Sequence, residues 1–157
     1  MQFEGIWTPI VTPYREDFTV DEGALGDVVE QLIAGGVAGI ISAGTTGEYY
    51  AQTFEEREWL ARKTHELIKG RVPLVVGTGA LRTEDSIEFA KMARDVGADA
   101  ILVATPPYSV PTGREIALHA LAIDRAVDMP VMLYNYPGRM GVNMDEELAR
   151  MTMYQQA

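Results

Sequence analysis

The sequence predicts a repeating α/β domain of parallel strands and covering helices, on three observations. Five short runs, "GIWTPIV" (5–11), "VAGIISA" (37–43), "VPLVVG" (72–77), "ADAILVA" (98–104) and "MPVMLY" (129–134), are apolar on both faces, as parallel strands covered by helices should be. Segments with helical periodicity separate them. A weak internal repeat reinforces the pattern: "GGVAGII" at 35–41 returns as "VGADAIL" at 96–102, and "RVPLVVG" at 71–77 returns as "DMPVMLY" at 128–134. A two-unit βαβα block thus occurs twice, at a spacing of about 60 residues.

Along the chain, the first run supplies strand one. Thr19 with Glu22 marks the start of helix one, whose Leu25, Val28, Val29, Leu32 and Ile33 fall on one face with Asp27, Glu30 and Gln31 off it. Helix one is therefore expected to pack on a sheet. Thr53 with Glu56 starts the helix after the second run, Thr112 with Glu115 the helix after the fourth, and Asn143 with Glu146 the helix after the fifth. Each pair reads as a capping box or a close analogue, satisfying an amide left without a partner at a helix start.

Two architectures fit five such units: a (βα)8 barrel, typically ~250 residues long, or a five-stranded doubly wound parallel sheet. At about 30 residues per unit, a barrel needs three more units than this chain possesses. Length favours the smaller sheet, whereas the chemistry at the strand ends favours the barrel. Residues 1–157 read as a single domain in either case.

Composition narrows the function. A content of 47% hydrophobic and 23% charged residues over 157 positions suits one globular domain with a real core. The formal charge of −10 opposes the phosphate attraction on which nucleic-acid binding depends, and it disfavours anionic membranes. No cysteine is present, so disulfides and thiolate metal sites are unavailable, in keeping with a reducing cytoplasm. No run approaches the ~20 apolar residues of a membrane helix, and "MQFEGIWTPIV" lacks the pattern of a signal peptide. The expectation is a cytoplasmic chain with neither nucleic-acid nor membrane partners.

Candidate chemistry clusters after the strand ends. Gly44-Thr45-Thr46-Gly47-Glu48 follows the second strand; its glycines let backbone amides approach a ligand while two threonine hydroxyls stand ready to donate. Such a loop suits a carboxylate or a small phosphate. The same five residues also read as a plain strand-to-helix turn in which Thr45 and Thr46 bond only the backbone. The fifth strand leads into "LYNYPGRMG", where Tyr134 points from the strand end and Arg139 offers a planar fork for a second carboxylate. Read alone, a strand tyrosine is more often packing than catalysis. "ATPPYSVPTG" after the fourth strand is a proline-stiffened loop holding Tyr108 outward, as a subunit contact, a site lid or a simple turn. His65 and His119 lie within predicted helices without metal-ligand spacing, and no GxGxxG, P-loop or GxSxG pattern occurs. No metal and no cofactor are expected.

Taken together, "GTTGE", "TPPYSVP" and "YNYPGR", at three successive strand ends and preceded by "TPIVTPY", resemble the dihydrodipicolinate synthase / N-acetylneuraminate lyase family of class I aldolases over residues 3 to 151. The resemblance implies a (βα)8 barrel of which this chain holds the N-terminal five units. It also implies a lyase or synthase in which a 2-keto acid, usually pyruvate, forms a Schiff base with a lysine. The resulting enamine attacks an aldehyde, or the reverse cleavage occurs. Carried onto matching positions, Thr45, Thr46 and Gly47 would bind the keto-acid carboxylate. Thr46 would join Tyr134 and Tyr108 in a proton relay, Tyr108 reaching across a dimer interface in tetrameric members. Tyr134 would be the general acid and base, and Arg139 would hold the carboxylate of aspartate semialdehyde. Homo-oligomers are implied for the full-length form.

The resemblance also implies an absence. The family's nucleophilic lysine lies at the end of a sixth strand, and this sequence carries strands one to five. Its three lysines, Lys63, Lys69 and Lys91, fall in predicted helices. The chain alone is therefore expected to form no imine with pyruvate. Pro107 stands where the synthases commonly carry the first of two tyrosines, and Tyr136 with Gly138 alters the surroundings of Arg139. Two other readings stay open: a 2-keto-3-deoxy sugar acid dehydratase or aldolase on the same scaffold, and a non-catalytic fragment serving as a binding or assembly module.

Overall fold

All five apolar runs form strands, each shorter than its run: β1 Trp7–Pro9, β2 Gly39–Ser42, β3 Leu74–Gly77, β4 Ala100–Ala104 and β5 Val131–Tyr134. Between and after them lie α1 Glu22–Ala34, α2 Phe54–Ile68, α3 Thr83–Val96, α4 Gly113–Val127 and the one-turn α5 Pro137–Met140, with two 3-10 turns at Thr45–Gly47 and Tyr49–Ala51. The computed structural model describes residues 3–146.

Side-chain caps set the helix starts. Thr53 accepts from the Glu56 amide at 3.2 Å while the Glu56 carboxylate accepts from the Thr53 amide at 2.8 Å, and Thr112 and Glu115 repeat that exchange. The first helix departs from expectation. Its cap is Asp21, which accepts from the Ala24 amide at 3.1 Å. Thr19 is engaged instead with Asp17, whose carboxylate accepts from the Thr19 hydroxyl at 2.6 Å and amide at 3.0 Å, and a Tyr14–Val20 bridge keeps the chain extended to Val20. Asn143 accepts from the Asn135 side-chain amide at 3.0 Å. The helix it was expected to start falls almost wholly outside the described residues.

The five strands pair in the order β1-β2-β3-β4-β5, all parallel. Among the described residues, helices cover only one face of this sheet. There Leu25 and Val29 of α1, Leu60 and Ala61 of α2, Phe89 and Ala93 of α3 and Ile123 of α4 pack with Ile40, Leu74, Val76, Ile101 and Val103. The opposite face carries a smaller strand-only cluster of Ile41, Val75 and Ala100 with Trp7, Leu102 and Met132 half-buried against it. A doubly wound sheet reverses strand order part-way and carries helices on both faces. Among the described residues neither feature occurs, so that alternative is replaced by an incomplete (βα)8-type barrel, with β1 and β5 as its two edges there.

α4 is pinned near the strand ends by His119, which is buried, shares a 3.0 Å hydrogen bond between its Nδ1 and the Thr83 hydroxyl of α3, and reaches the Ala104 backbone. Burial holds its pKa below the ordinary 6.5, the Ala104 contact partly opposing. Among the described residues no helix is long and apolar enough to cross a membrane.

Two outcomes follow. Thr53→Ala should lower stability by about 1 kcal/mol in urea unfolding, through loss of the α2 cap. The unfolded chain takes up a proton at His119 near 6.5 while the folded chain resists it, so this stabilisation is present above that pH and declines as pH falls below it. His119→Gln should therefore lose less stability than the native chain between about pH 7 and about pH 5.5.

Candidate active site

Parallel pairing places the C-terminal ends of all five strands along one rim. The turn after β2 occupies that rim. Ala43 takes a left-handed φ of 53°, Gly44 is extended, and the 3-10 turn closes through the Gly47 amide to the Gly44 carbonyl (3.0 Å) and the Glu48 amide to the Thr45 carbonyl (3.2 Å). The turn's own hydrogen bonds thus use the amides of Gly47 and Glu48 and not those of Thr45 and Thr46. Thr45 is half-buried and Thr46 exposed. From below, the Gly47 carbonyl accepts from the Thr12 hydroxyl and from the Gln52 side-chain amide, both at 2.8 Å. A Cβ at Gly47 would stand 3.0 Å from the Ile10 carbonyl oxygen and 3.2 Å from the Thr12 hydroxyl, a contact so tight that one of them would have to give way.

The tip of β3 meets this turn edge to edge. A Cβ at Gly77 would run into the Ala43 carbonyl, and one at Gly79 would sit 2.9 Å from the Tyr49 ring. Arg57, from the buried stripe of α2, binds the same tip: its guanidinium donates to the Gly79 carbonyl at 2.9 Å and to the Gly77 carbonyl at 2.6 Å. Only 2% of Arg57 is exposed, and among the described residues its buried Nε has no partner. The guanidinium lies 3.4 Å from the Phe89 ring centroid and 5.2 Å from that of Tyr49, with Phe54 stacked on Phe89. Burial pulls Arg57 down to about 10, so it stays charged at neutral pH. Burial pushes the Tyr49 phenol up; the Arg57 charge opposes that, and the Tyr134 phenol adds to it.

Tyr134 ends β5, half-buried, opposite Ala104 of β4. Strand alternation puts it on the face of Met132, the face without helices. It ends β5 on the same rim as the Thr45–Thr46 turn after β2. Tyr136 packs edge-on against it with centroids 6.3 Å apart, and the exposed Arg139 of α5 lies 5.5 Å from the Tyr136 ring. Tyr108 is not drawn in. It is 93% exposed at φ 72°, projecting from the proline-framed loop. The lysines stand elsewhere: Lys63 pairs with Glu22 and Glu66, bonds that hold its amine above the usual range, Lys91 pairs with Glu88, and Lys69 caps the end of α2 at φ 53°.

Four residues of this rim were not singled out from sequence: Thr12, Gln52, Arg57 and Asn135. Asn135, next to Tyr134, ties residues 143 and 144 through its amide and accepts from the Met144 amide at 3.1 Å. Arg57 did leave a signal, since it falls in phase with buried Leu60, Ala61, Thr64 and Ile68 along one stripe of α2.

Comparison with known proteins places the chain in a family. The model of the dihydrodipicolinate synthetase family matches residues 2–156. The chain belongs to that family. Similar curated proteins include the 4-hydroxy-tetrahydrodipicolinate synthase of Chelativorans sp. (strain BNC1), 41% identical over 150 residues covering 95% of this chain and 51% of the relative. That of Salinibacter ruber is 39% identical over 149 residues, covering 95% and 49%. Among solved structures, the Acinetobacter baumannii dihydrodipicolinate synthase complexed with pyruvate superposes with a TM-score of 0.93 at 38% identity, over 96% of this chain and 52% of that one. A prophage protein of the family from E. coli K12, also in complex with pyruvate, gives 0.95 at 30% identity, over 99% and 52%. The chain spans about half the length of the family members it matches. Their likeness agrees with the incomplete barrel.

The contact between Gly77 and Ala43 can be tested against a glycine with room. Gly77→Ala should destabilise by about 2 kcal/mol or more, because a backbone carbonyl must move. Gly26→Ala on α1, where the added Cβ meets only Leu67 at 3.8 Å, should instead stabilise by about 0.5–1 kcal/mol. Urea midpoints of the two variants read both signs.

Proposed function

We propose that the rim receives a 2-keto acid, with pyruvate as the reference ligand, for the Schiff-base chemistry of a class I aldolase-type lyase or synthase. The observation that carries this reading is the turn at Thr45–Thr46, whose two amides are left out of the turn's own bonding, on the same rim as a strand-end tyrosine. A carboxylate would accept from those amides and the threonine hydroxyls, and the keto carbon would then lie toward Tyr134. In the reaction an amine adds to the ketone carbon and water leaves, giving a protonated imine. Loss of a methyl proton forms an enamine, which attacks the aldehyde carbon. Tyr134 would move these protons, relayed by Thr46 and by Tyr108 of a second copy, for which the exposure of Tyr108 is suitable. Arg139 would hold the carboxylate of an aldehyde such as aspartate semialdehyde; a sugar-acid substrate has less use for that fork.

None of the three lysines stands at a strand end, so the imine-forming amine would come from outside these 157 residues. A second reading, assembly with another polypeptide, is favoured by the edge strands β1 and β5 and by the strand-only face at Trp7, Leu102 and Met132.

Calorimetry with the 157-residue chain should detect pyruvate, and Thr46→Val should weaken it by about tenfold, the usual effect of losing a hydrogen bond to a charged group. Absence of pyruvate binding would overturn the reading. Borohydride treatment with pyruvate should leave the mass of the chain unchanged, and a covalent adduct would show that one of its own lysines reacts.

A further inference from the structure

We infer that Arg57 is a positioning residue of this rim, clamping the tip of β3 against the turn after β2 so that Thr45 and Thr46 are held for a carboxylate. What the turn binds rests on the proposed 2-keto acid reading; the clamp rests on its own geometry.

The tip of β3 is held from two sides. Thr78 donates its amide and hydroxyl to the Leu102 carbonyl of β4, at 3.0 and 3.2 Å. The carbonyls flanking it, Gly77 and Gly79, both accept from Arg57 across the helix layer. These glycines are also the contact points with the other loop, Gly77 against the Ala43 carbonyl and Gly79 against the Tyr49 ring. One side chain on α2 therefore sets the height and tilt of the surface on which residues 43–49 rest. Tyr49 closes the loop by lying within cation-π range of the same guanidinium.

The chemistry of the residue argues for direction rather than filling. The position sits among buried apolar side chains of α2, where leucine or methionine would occupy the volume without desolvating a charge. Among the described residues no carboxylate pairs with Arg57; its fork is spent on two backbone carbonyls and its flat faces on aromatic rings. Two diverging N–H donors at a set angle are what a planar guanidinium supplies and a lysine ammonium does not.

Amide hydrogen exchange of the 157-residue chain, read residue by residue by NMR with and without pyruvate, tests this. Arg57→Met should accelerate exchange at Gly47, Glu48 and Thr78 by about tenfold beyond any change at Leu25 and Ile101, and should weaken pyruvate binding by a similar factor. Arg57→Lys should recover part of both effects. Uniform acceleration across all five amides would reduce Arg57 to a contributor to global stability and overturn the inference, as would unchanged exchange at the three rim amides, or rim loosening with undiminished pyruvate affinity. If Arg57→Met does not fold, Arg57→Lys decides: faster exchange at Thr78 than at Ile101 supports the clamp, and equal exchange refutes it. Should the native chain fail to bind pyruvate, the 2-keto acid reading falls, while the exchange pattern still decides the clamp.

Discussion

Parallel pairing in sequential order constrains everything else in this molecule. A parallel strand cannot follow its neighbour through a tight turn, so each connection must cross one face as a helix and return to the same starting edge. Repeated without a reversal, that step puts all four long helices on one side and all five strand ends on one rim. The residues of interest lie far apart in sequence, between Thr12 and Arg139, yet the topology leaves them a single edge on which to meet. The helix-free face is the other product of the same constraint, and its small cluster of Ile41, Val75 and Ala100 reflects the limited room inside a closing sheet.

Along the rim, close backbone contact replaces side-chain packing. Glycines at 77 and 79 admit a carbonyl and an aromatic ring where any larger residue would intrude. Such contacts demand a tight tolerance, and the polar groups around them supply it: Thr12 and Gln52 under the Gly47 carbonyl, Thr78 on β4, Arg57 from the helix layer. A buried guanidinium is an expensive way to satisfy two carbonyls, since desolvation lowers its pKa markedly. Its aromatic neighbours soften that penalty through the negative faces of their rings.

The strands were legible because burial on both faces writes an unbroken apolar run into the sequence, and the internal repeat is visible in the fold as β2-β3 recurring in β4-β5. Capping boxes at Thr53 and Thr112 were legible because their partners are three residues away. Thr19 misled for the same local reason: Asp17 and the Tyr14–Val20 bridge compete for it, and Asp21 lies two residues nearer the helix. Thr12 and Arg57 escaped notice because their partners lie 35 and 20 to 22 residues away, beyond any local pattern. Choosing between barrel and doubly wound sheet needed strand order, which periodicity does not record.

The proline-framed loop after β4 carries a consequence of its own. Tyr108 and Val110 both adopt left-handed backbone, at φ 72° and 48°, an unfavourable state for an aromatic and especially for a β-branched residue. Pro106, Pro107 and Pro111 leave few other conformers to relax into. A surface that docks on the Tyr108 ring therefore meets a rigid peg, and the freezing of loop motion that normally weakens such an encounter has already occurred during folding.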